Sequence, residues 1–211
     1  MITGIKHILF DLGGVLINLD YNRTEQAFVN LGIKNFGNIF SQLKQTTLFD
    51  DLETGKIPTS TFFEELRKFS GTQLSDDQIT FAWNEMLLDF PIRRLEILQQ
   101  LRPHYDLVLI SNTNEIHEIA FNRILQQAHG VSLASFFDRY YLSHKIGMRK
   151  PDPAVFQRIL NECGFEAQHT LFIDDNAQNI AVAQSVGIQS IHLTNSMTIE
   201  NDIFKPHSVS I

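Results

Sequence analysis

Three short apolar runs in the chain each end at a polar residue that is suited to chemistry. The runs cover residues 7–10, 107–110 and 171–173, and the polar residues that follow them are Asp11, Ser111 and the pair Asp174–Asp175. Short apolar runs flanked by helical patterns are typical of strands buried on both faces of a parallel sheet. Because the site of such a sheet lies outside the carboxyl ends of its strands, we expect these polar side chains to share one rim.

Between the first two runs the pattern is helical and shows no convincing strand. The segments 61–64 and 75–78 have the form of a capping box, which marks the start of a helix. The segment 50–56, which contains Gly55, is interpreted as a turn and, like Arg23, as a speculative contact with a ligand. Trp83 is predicted to be a core residue. Pro91 is predicted to lie in the first turn of the helix that returns the chain to the sheet. The pattern therefore predicts a helical insertion after the first strand.

Beyond the insertion, helical and strand patterns alternate, with further short strands predicted at 140–142 and 188–193. Asp152, followed by Pro153, and Asn176 are each predicted to cap a helix. Helices between strands imply right-handed crossovers and a parallel sheet covered on both faces. The predicted fold class is α/β, a Rossmann-like parallel sheet sandwiched by helices, with an inserted helical cap. The predicted domains are a catalytic core of residues 1–19 and 91–211 and a cap of residues 20–90.

Composition narrows the range of partners. The chain has 211 residues, with 17 basic and 24 acidic side chains and a formal charge of −7, which disfavours binding to nucleic acid or anionic membranes. Cys163 is the single cysteine, and neither a signal pattern nor a membrane-length apolar run is present. We therefore expect a cytoplasmic protein, a monomer or a homodimer, whose partner is a small molecule.

The first strand end combines a carboxylate with a tight turn. Asp11 is followed by Leu12, Gly13 and Gly14, and the glycines allow backbone N–H groups to approach an anion closely. A carboxylate at this position can attack phosphorus or carbon and form a covalent intermediate. Taken alone, the motif is weak evidence for catalysis, because an Asp at the end of a strand often begins a turn and has no chemical role.

The other strand ends can bind phosphate and a cation. Residues 111–114 open a helix, which one of them is predicted to cap; in the functional interpretation, Ser111 and Asn112 donate hydrogen bonds to phosphate oxygens. The adjacent carboxylates of Asp174 and Asp175 repel each other unless a cation or hydrogen-bond donors offset their charge, and Mg²⁺ prefers oxygen ligands. Lys150 lies in a proline-rich loop and is a candidate point charge against phosphate and the nucleophile. The order of these four elements along the chain is the specific signal.

That order resembles the haloacid dehalogenase-like hydrolase superfamily over nearly the whole chain. The segments 10–15, 111–114, 147–151 and 172–176 are similar to a bacterial branch with a C1-type cap that includes α-D-glucose-1-phosphate phosphatases. The resemblance implies a magnesium-dependent phosphatase with an aspartyl-phosphate intermediate that acts on a small phosphorylated metabolite. It implies catalytic roles for Asp11, Ser111 and Lys150, phosphate binding by Leu12, Gly13, Ser111, Asn112 and Lys150, and metal binding by Asp11, the Gly13 carbonyl, Asp175 and Asp174.

One position departs from the pattern of the superfamily's phosphatases. Most of them carry a second Asp two residues after the nucleophile as general acid and base, and this chain has Gly13 there. The departure favours esters with an acidic leaving group, such as sugar 1-phosphates. It also leaves two alternatives open, namely a 2-haloacid dehalogenase-type hydrolase and a non-catalytic protein that binds a phosphometabolite or a partner.

Overall fold

Five parallel strands form one sheet at the centre of the computed structural model, which describes residues 2–34, 36–38, 40, 46–194 and 196–205. The order across the sheet is β3-β2-β1-β4-β5. The strands are β1 (His7–Phe10), β2 (Asp106–Ser111), β3 (Arg139–Leu142), β4 (Thr170–Asp174) and β5 (Gln189–His192). β1 is central: His7 pairs with Asp106 of β2 on one side and with Thr170 of β4 on the other. The carboxyl ends of these three strands therefore meet at one rim.

Both faces of the sheet are covered, which explains the continuous apolar runs. Ile8 and Phe10 of β1 belong to the apolar cluster on one face, and Leu9 between them belongs to the cluster on the other face. Side chains alternate across a strand, so a strand buried on both sides needs apolar residues at every position. The predicted α/β fold is confirmed.

The core contains five described helices, and several of them begin at residue types that commonly cap helices. Asp152 caps α8 with Pro153 at its first position, and Asn176 caps α9, both as predicted. Asn114, rather than Ser111 or Asn112, caps α6. The helices are α5 (Ile92–Leu101), α6 (Glu115–His129), α7 (Ser143–Ile146), α8 (Pro153–Cys163) and α9 (Ala177–Ser185). No helix in the described part of the chain is long and apolar enough to span a membrane.

Four described helices lie between β1 and α5 and make up the helical insertion. They are α1 (Tyr21–Asn30), α2 (Leu48–Glu53), α3 (Thr59–Ser70) and α4 (Asp76–Asn84). Their buried side chains form an apolar cluster of their own, which Ile116 of α6 joins. The two connections to the sheet run side by side, because Leu88 N donates to Asn18 O and Asn18 N donates to Asp89 O. The helical insertion thus leaves and rejoins the sheet at one place.

Two local predictions within the insertion are wrong. The helix predicted to start at the 61–64 capping box begins earlier, since α3 starts at Thr59 with Pro58 before it. Pro58 is extended, as a residue before a helix must be, and this leaves Thr61 inside the helix. The first half of the predicted 50–56 turn belongs to the helix α2. Asp50 and Asp51 lie in its first turn, where carboxylates stabilise a helix through its dipole. The capping box at Ser75 and Gln78 is confirmed.

His117 joins the insertion to the core. Its Nε2 lies 3.2 Å from Trp83 O, its Nδ1 lies 3.3 Å from Asn114 Nδ2, and its ring stacks on the Trp83 indole with centroids 5.5 Å apart. These contacts suit the neutral ring, with Nε2 donating and Nδ1 accepting. Burial lowers the pKa of His117 to about 4, against the opposing effect of the Trp83 carbonyl.

We therefore expect His117 to contribute stability that is lost between pH 6.5 and 4. The unfolded histidine has a pKa near 6.5, so in this window the unfolded chain binds the extra proton at this residue, and the contribution is complete above pH 6.5. The contribution should fall by about 2 kcal/mol of unfolding free energy between pH 7.5 and 5. Urea denaturation at both pH values measures it as the difference between wild type and His117→Asn, in which the effects of other titrating groups cancel. Exposed His104→Asn should keep the wild-type pH dependence, and a His117→Asn variant that also kept it would contradict the assignment.

Candidate active site

Lys150 is the electrostatic centre of the rim. Its Nζ donates to Asp11 Oδ1 at 2.7 Å, to Asp174 Oδ2 at 2.6 Å and to the carbonyl of Ile110 at 3.1 Å. The Lys150 side chain is 1% exposed and that of Asp174 is 0% exposed. A buried ammonium is tolerated when carboxylates and further acceptors satisfy its hydrogens, and all three donors of Lys150 are used in this way. One lysine thus connects β1, β2 and β4.

Asn112 fixes the loop that carries Lys150. Its Nδ2 donates to Lys150 O at 2.8 Å, and its Oδ1 accepts from Lys150 N at 2.9 Å. These two bonds hold the backbone of the lysine against the end of β2. The Nδ2 group carries a second hydrogen that this contact does not use, and the Asn112 side chain lines the cleft above the rim.

Asp174 is held from all sides. Oδ1 accepts from Asn176 N at 2.7 Å and from Asn179 Nδ2 at 3.1 Å, and Oδ2 accepts from Lys150 and from Asn179 Nδ2 at 3.0 Å. Each carboxylate oxygen offers about two acceptor positions, so these contacts use the capacity of Asp174. The carboxylate is therefore suited to position Lys150. Asn179 was missed by sequence reasoning, although it lies one turn after the acidic pair on α9.

Burial and mutual repulsion shift the carboxylates of this rim. Burial raises the pKa of Asp11 to about 7, Lys150 opposes this rise, and the charge of Asp174 adds to it. Burial, followed by the charge of Asp174, also raises the pKa of Asp175. Burial alone would lower the pKa of Lys150, but Asp11 and Asp174 outweigh it, so that pKa is raised. The rim contains more negative than positive charge, and a further cation would stabilise it.

Three carboxylates of the rim can share such a cation. Asp11, Asp174 and Asp175 each offer an oxygen, and these oxygens lie within 4.8 Å of one another. Gly14 allows Asp175 to approach, because a Cβ at Gly14 would lie 2.4 Å from Asp175 Oδ2. Gly14 also has a φ of +71°, which favours glycine. The acid donor set fits a hard cation such as Mg²⁺.

The cleft above the rim lies between the sheet and the helical insertion. It has a volume of about 740 Å³, and its walls include Leu12, Gly13, Ser111 and Asn112 from the core. From the insertion, Trp83, Phe49 and Phe36 supply aromatic walls. Trp83 is thus both a core residue, as predicted, and part of the cleft.

Arg149 bridges the core and the insertion at the edge of this cleft. It donates a hydrogen bond to Asp50 of α2, and its Nη2 lies 3.0 Å from Glu53 Oε2. No local sequence pattern indicates this contact, because Arg149 and Asp50 are 99 positions apart in the chain. Arg23, a speculative substrate contact in the sequence, instead pairs with Glu85 at 2.8 Å.

Comparison with known proteins shows what the whole chain is similar to. Residues 5–187 match the model of the haloacid dehalogenase-like hydrolase family. The chain is 30% identical over 191 residues to a D-ribitol-5-phosphate phosphatase of Bacteroides thetaiotaomicron, which covers 90% of this chain and 93% of that protein.

Solved structures give the same result. A HAD family enzyme of Bacteroides thetaiotaomicron in complex with magnesium and inorganic phosphate has a TM-score of 0.85 and 35% identity, and covers 92% of this chain and 96% of that chain. A HAD-like family hydrolase of Porphyromonas gingivalis has a TM-score of 0.85 and 32% identity, and covers 95% of this chain and 96% of that chain.

Proposed function

Because the chain belongs to the haloacid dehalogenase-like hydrolase family, we propose that it is a magnesium-dependent phosphatase that hydrolyses small phosphomonoesters through an aspartyl phosphate on Asp11. One observation carries this proposal above all: the buried Lys150 holds Asp11 at the base of a cleft, with a second carboxylate, Asp175, beside it. The magnesium and phosphate in the related enzyme of Bacteroides thetaiotaomicron support it.

Asp11 is the proposed nucleophile. It lies at the end of the central strand, and its side chain is 12% exposed, so little water competes for it. Burial raises the pKa of Asp11, Lys150 opposes that rise, and a bound Mg²⁺ would further favour the ionised carboxylate that attacks phosphorus. Attack on phosphorus transfers the phosphoryl group to Asp11 and releases an alcohol, and water then cleaves the acyl phosphate.

The phosphoryl group is held by charge and by hydrogen-bond donors. Ser111, Asn112 and the backbone of Leu12 and Gly13 line the cleft, and Lys150 lies beneath them. Positioning and charge stabilisation dominate phosphoryl transfer, so a fixed cation and fixed donors are the chemistry that this step needs. Asn112 has a second proposed function, which is to position Lys150.

The proposed metal ligands are Asp11, Asp175 and the carbonyl of Gly13. Asp174 is a less suitable ligand, because both of its oxygens already accept hydrogen bonds. Mg²⁺ would supply positive charge to the oxygens of the phosphoryl group. The dehalogenase alternative offers no explanation for the Asp175 carboxylate, which Gly14 accommodates at such short range.

The proposed substrate is a small phosphorylated metabolite, with residues 20–90 acting as a cap that surrounds the leaving group. Sugar 1-phosphates remain the proposed class if no acid replaces the one missing at Gly13, since their leaving hydroxyl is more acidic than an ordinary alcohol. The alcohol of a polyol phosphate, the substrate named for the relative from Bacteroides thetaiotaomicron, leaves less readily. The two classes therefore differ in their need for an acid.

Metal removal tests the proposal. Excess chelator should abolish hydrolysis of p-nitrophenyl phosphate, and Mg²⁺ should restore it. Asp175→Ala should raise the Mg²⁺ concentration needed for half-maximal rate at least about tenfold, because it removes a charged ligand. Exposed Asp77→Ala is the matched control and should behave as wild type. Full activity in chelator, together with halide release from 2-haloacids, would instead support the dehalogenase alternative.

A further inference from the structure

We propose that Glu53, the last residue of α2, is the general acid that Gly13 does not supply. This inference rests on the proposed phosphatase function. Glu53 lines the same cleft as Gly13, Ser111 and Asn112. It reaches this cleft from the helical insertion, whereas Asp11 comes from the sheet, and it is close enough to Lys150, the partner of Asp11, for the lysine charge to act on it. An acid in this place would approach the leaving group rather than the phosphoryl oxygens that Lys150 and Ser111 face.

The hydrogen-bonding state of Glu53 suits an acid that keeps its proton. Its Oε2 is buried and accepts no hydrogen bond, although Arg149 Nη2 lies 3.0 Å away. The hydrogen bond of Arg149 goes to Asp50, whose carboxylate offsets the guanidinium charge. A buried ionised carboxylate without donors is costly, whereas a neutral carboxyl group can direct its own O–H into the cleft.

The charges around Glu53 come from several elements. Asp50 shares its helix, Arg149 and Lys150 face it from the core loop, and Tyr21 of α1 is close enough to feel its charge. His144 of α7, whose carbonyl lies against Gly55, is paired with Glu118. Burial raises the pKa of Glu53 to about 7, with Lys150 opposing the rise. A substantial fraction of Glu53 is therefore protonated at neutral pH.

Neither of the other acidic side chains of the cleft has this combination. The Asp50 side chain is 61% exposed and bonded to Arg149, and Glu25 is exposed. Tyr21 is exposed as well, and a phenol, whose ordinary pKa is about 10, is a weak acid. Among the described acids of the cleft, Glu53 is the one whose side chain is only 26% exposed and whose Oε2 accepts no hydrogen bond, with Arg149 beside it as an ion-pair partner.

The proton balance is complete with Glu53 in this role. As Asp11 forms a bond to phosphorus, the bond from phosphorus to the leaving oxygen breaks, and the Glu53 proton moves to that oxygen to give a neutral alcohol. Glu53 is then a carboxylate. When water attacks the aspartyl phosphate, it gives a proton to Glu53, the phosphorus–Asp11 bond breaks, and inorganic phosphate leaves. Both carboxyl groups return to their starting states.

The test compares kcat/KM for p-nitrophenyl phosphate, phenyl phosphate and D-ribitol 5-phosphate in wild type, Glu53→Gln and Glu25→Gln, all with Mg²⁺. kcat/KM reports the first transfer step, in which the alcohol leaves. Glu53→Gln should lower kcat/KM for ribitol 5-phosphate by about 10²–10⁴-fold, the usual value of general acid help. It should lower that for p-nitrophenyl phosphate less than about tenfold, because p-nitrophenolate needs no proton to leave.

Glu25→Gln is the matched control, since it removes an exposed carboxylate that lines the same cleft. It should keep the wild-type dependence of kcat/KM on leaving-group pKa. Wild-type kcat/KM for ribitol 5-phosphate should also fall as pH rises through the Glu53 pKa, and Glu53→Gln should lack this fall. Equal losses for aryl and alkyl esters, or the same change in both variants, would overturn the role of Glu53 and leave the phosphatase proposal intact. A wild-type enzyme that hydrolyses none of the three esters would overturn both.

Discussion

Asp11→Asn is expected to lower kcat for phosphate ester hydrolysis by at least about 10⁴-fold, in line with the loss of a covalent nucleophile. The amide has nearly the volume of the carboxylate but cannot form the aspartyl phosphate. The fold should survive, because Lys150 keeps its bonds to Asp174 and to the carbonyl of Ile110. Steady-state kinetics and circular dichroism of the purified variant provide the two measurements.

Asp106→Asn is the matched control for this prediction. Asp106 lies at the amino end of β2, where it is hydrogen-bonded to His7, at the opposite edge of the sheet from the site. Its replacement should leave kcat close to wild type. An Asp11→Asn enzyme that retained a tenth of wild-type kcat would rule out covalent catalysis by Asp11.

Lys150→Met is expected to reduce both activity and stability. The substitution leaves Asp11 and Asp174 buried without their shared cation, and removing one partner from a buried ion pair typically costs about 3–5 kcal/mol. kcat should fall at least about 10²-fold, since a fixed charge near the phosphoryl group is lost. Chemical denaturation at pH 7.5 and steady-state kinetics measure the two effects.

Lys145→Met controls for the loss of a lysine of the same loop region. The Lys145 side chain is 54% exposed and pairs with Glu118 outside the site. An exposed ion pair contributes at most about 1 kcal/mol, so this variant should nearly match wild type. If the two lysine variants had similar stability, the Lys150 pairs would not stabilise the fold as the structure implies.

The sequence was sufficient to predict the sheet and the polar residues at its rim, because the central strands are buried. Because β1, β2 and β4 are enclosed on both faces, each is a continuous apolar run, and the first polar residue after it marks its carboxyl end. Parallel pairing then places Asp11, Ser111 and Asp174 together without any knowledge of the helices. The end signals at Asp152 and Asn176 are equally local.

The contacts that complete the site are not local, and this is why the sequence did not reveal them. Arg149 of the core pairs with Asp50 and Glu53 of the insertion, which lie far from it in the sequence. Asn112 bonds to the backbone of Lys150, which leaves no pattern in residue type at either position. The helix α2 was partly mistaken for a turn because it is only six residues long, too short for a hydrophobic period to appear.

The paired connections at Asn18, Leu88 and Asp89 affect how this protein can change over evolution. They bring the two ends of the insertion together, so the crossover from β1 through α5 to β2 is closed at Asn18 and Leu88 as if by a tight turn, whatever lies between these two residues. The entropy of closing a loop grows only with the logarithm of its length, so lengthening, shortening or replacing the insertion changes core stability little. New leaving-group preferences can therefore arise by exchange of one segment, while the chemistry on the strand ends is inherited unchanged.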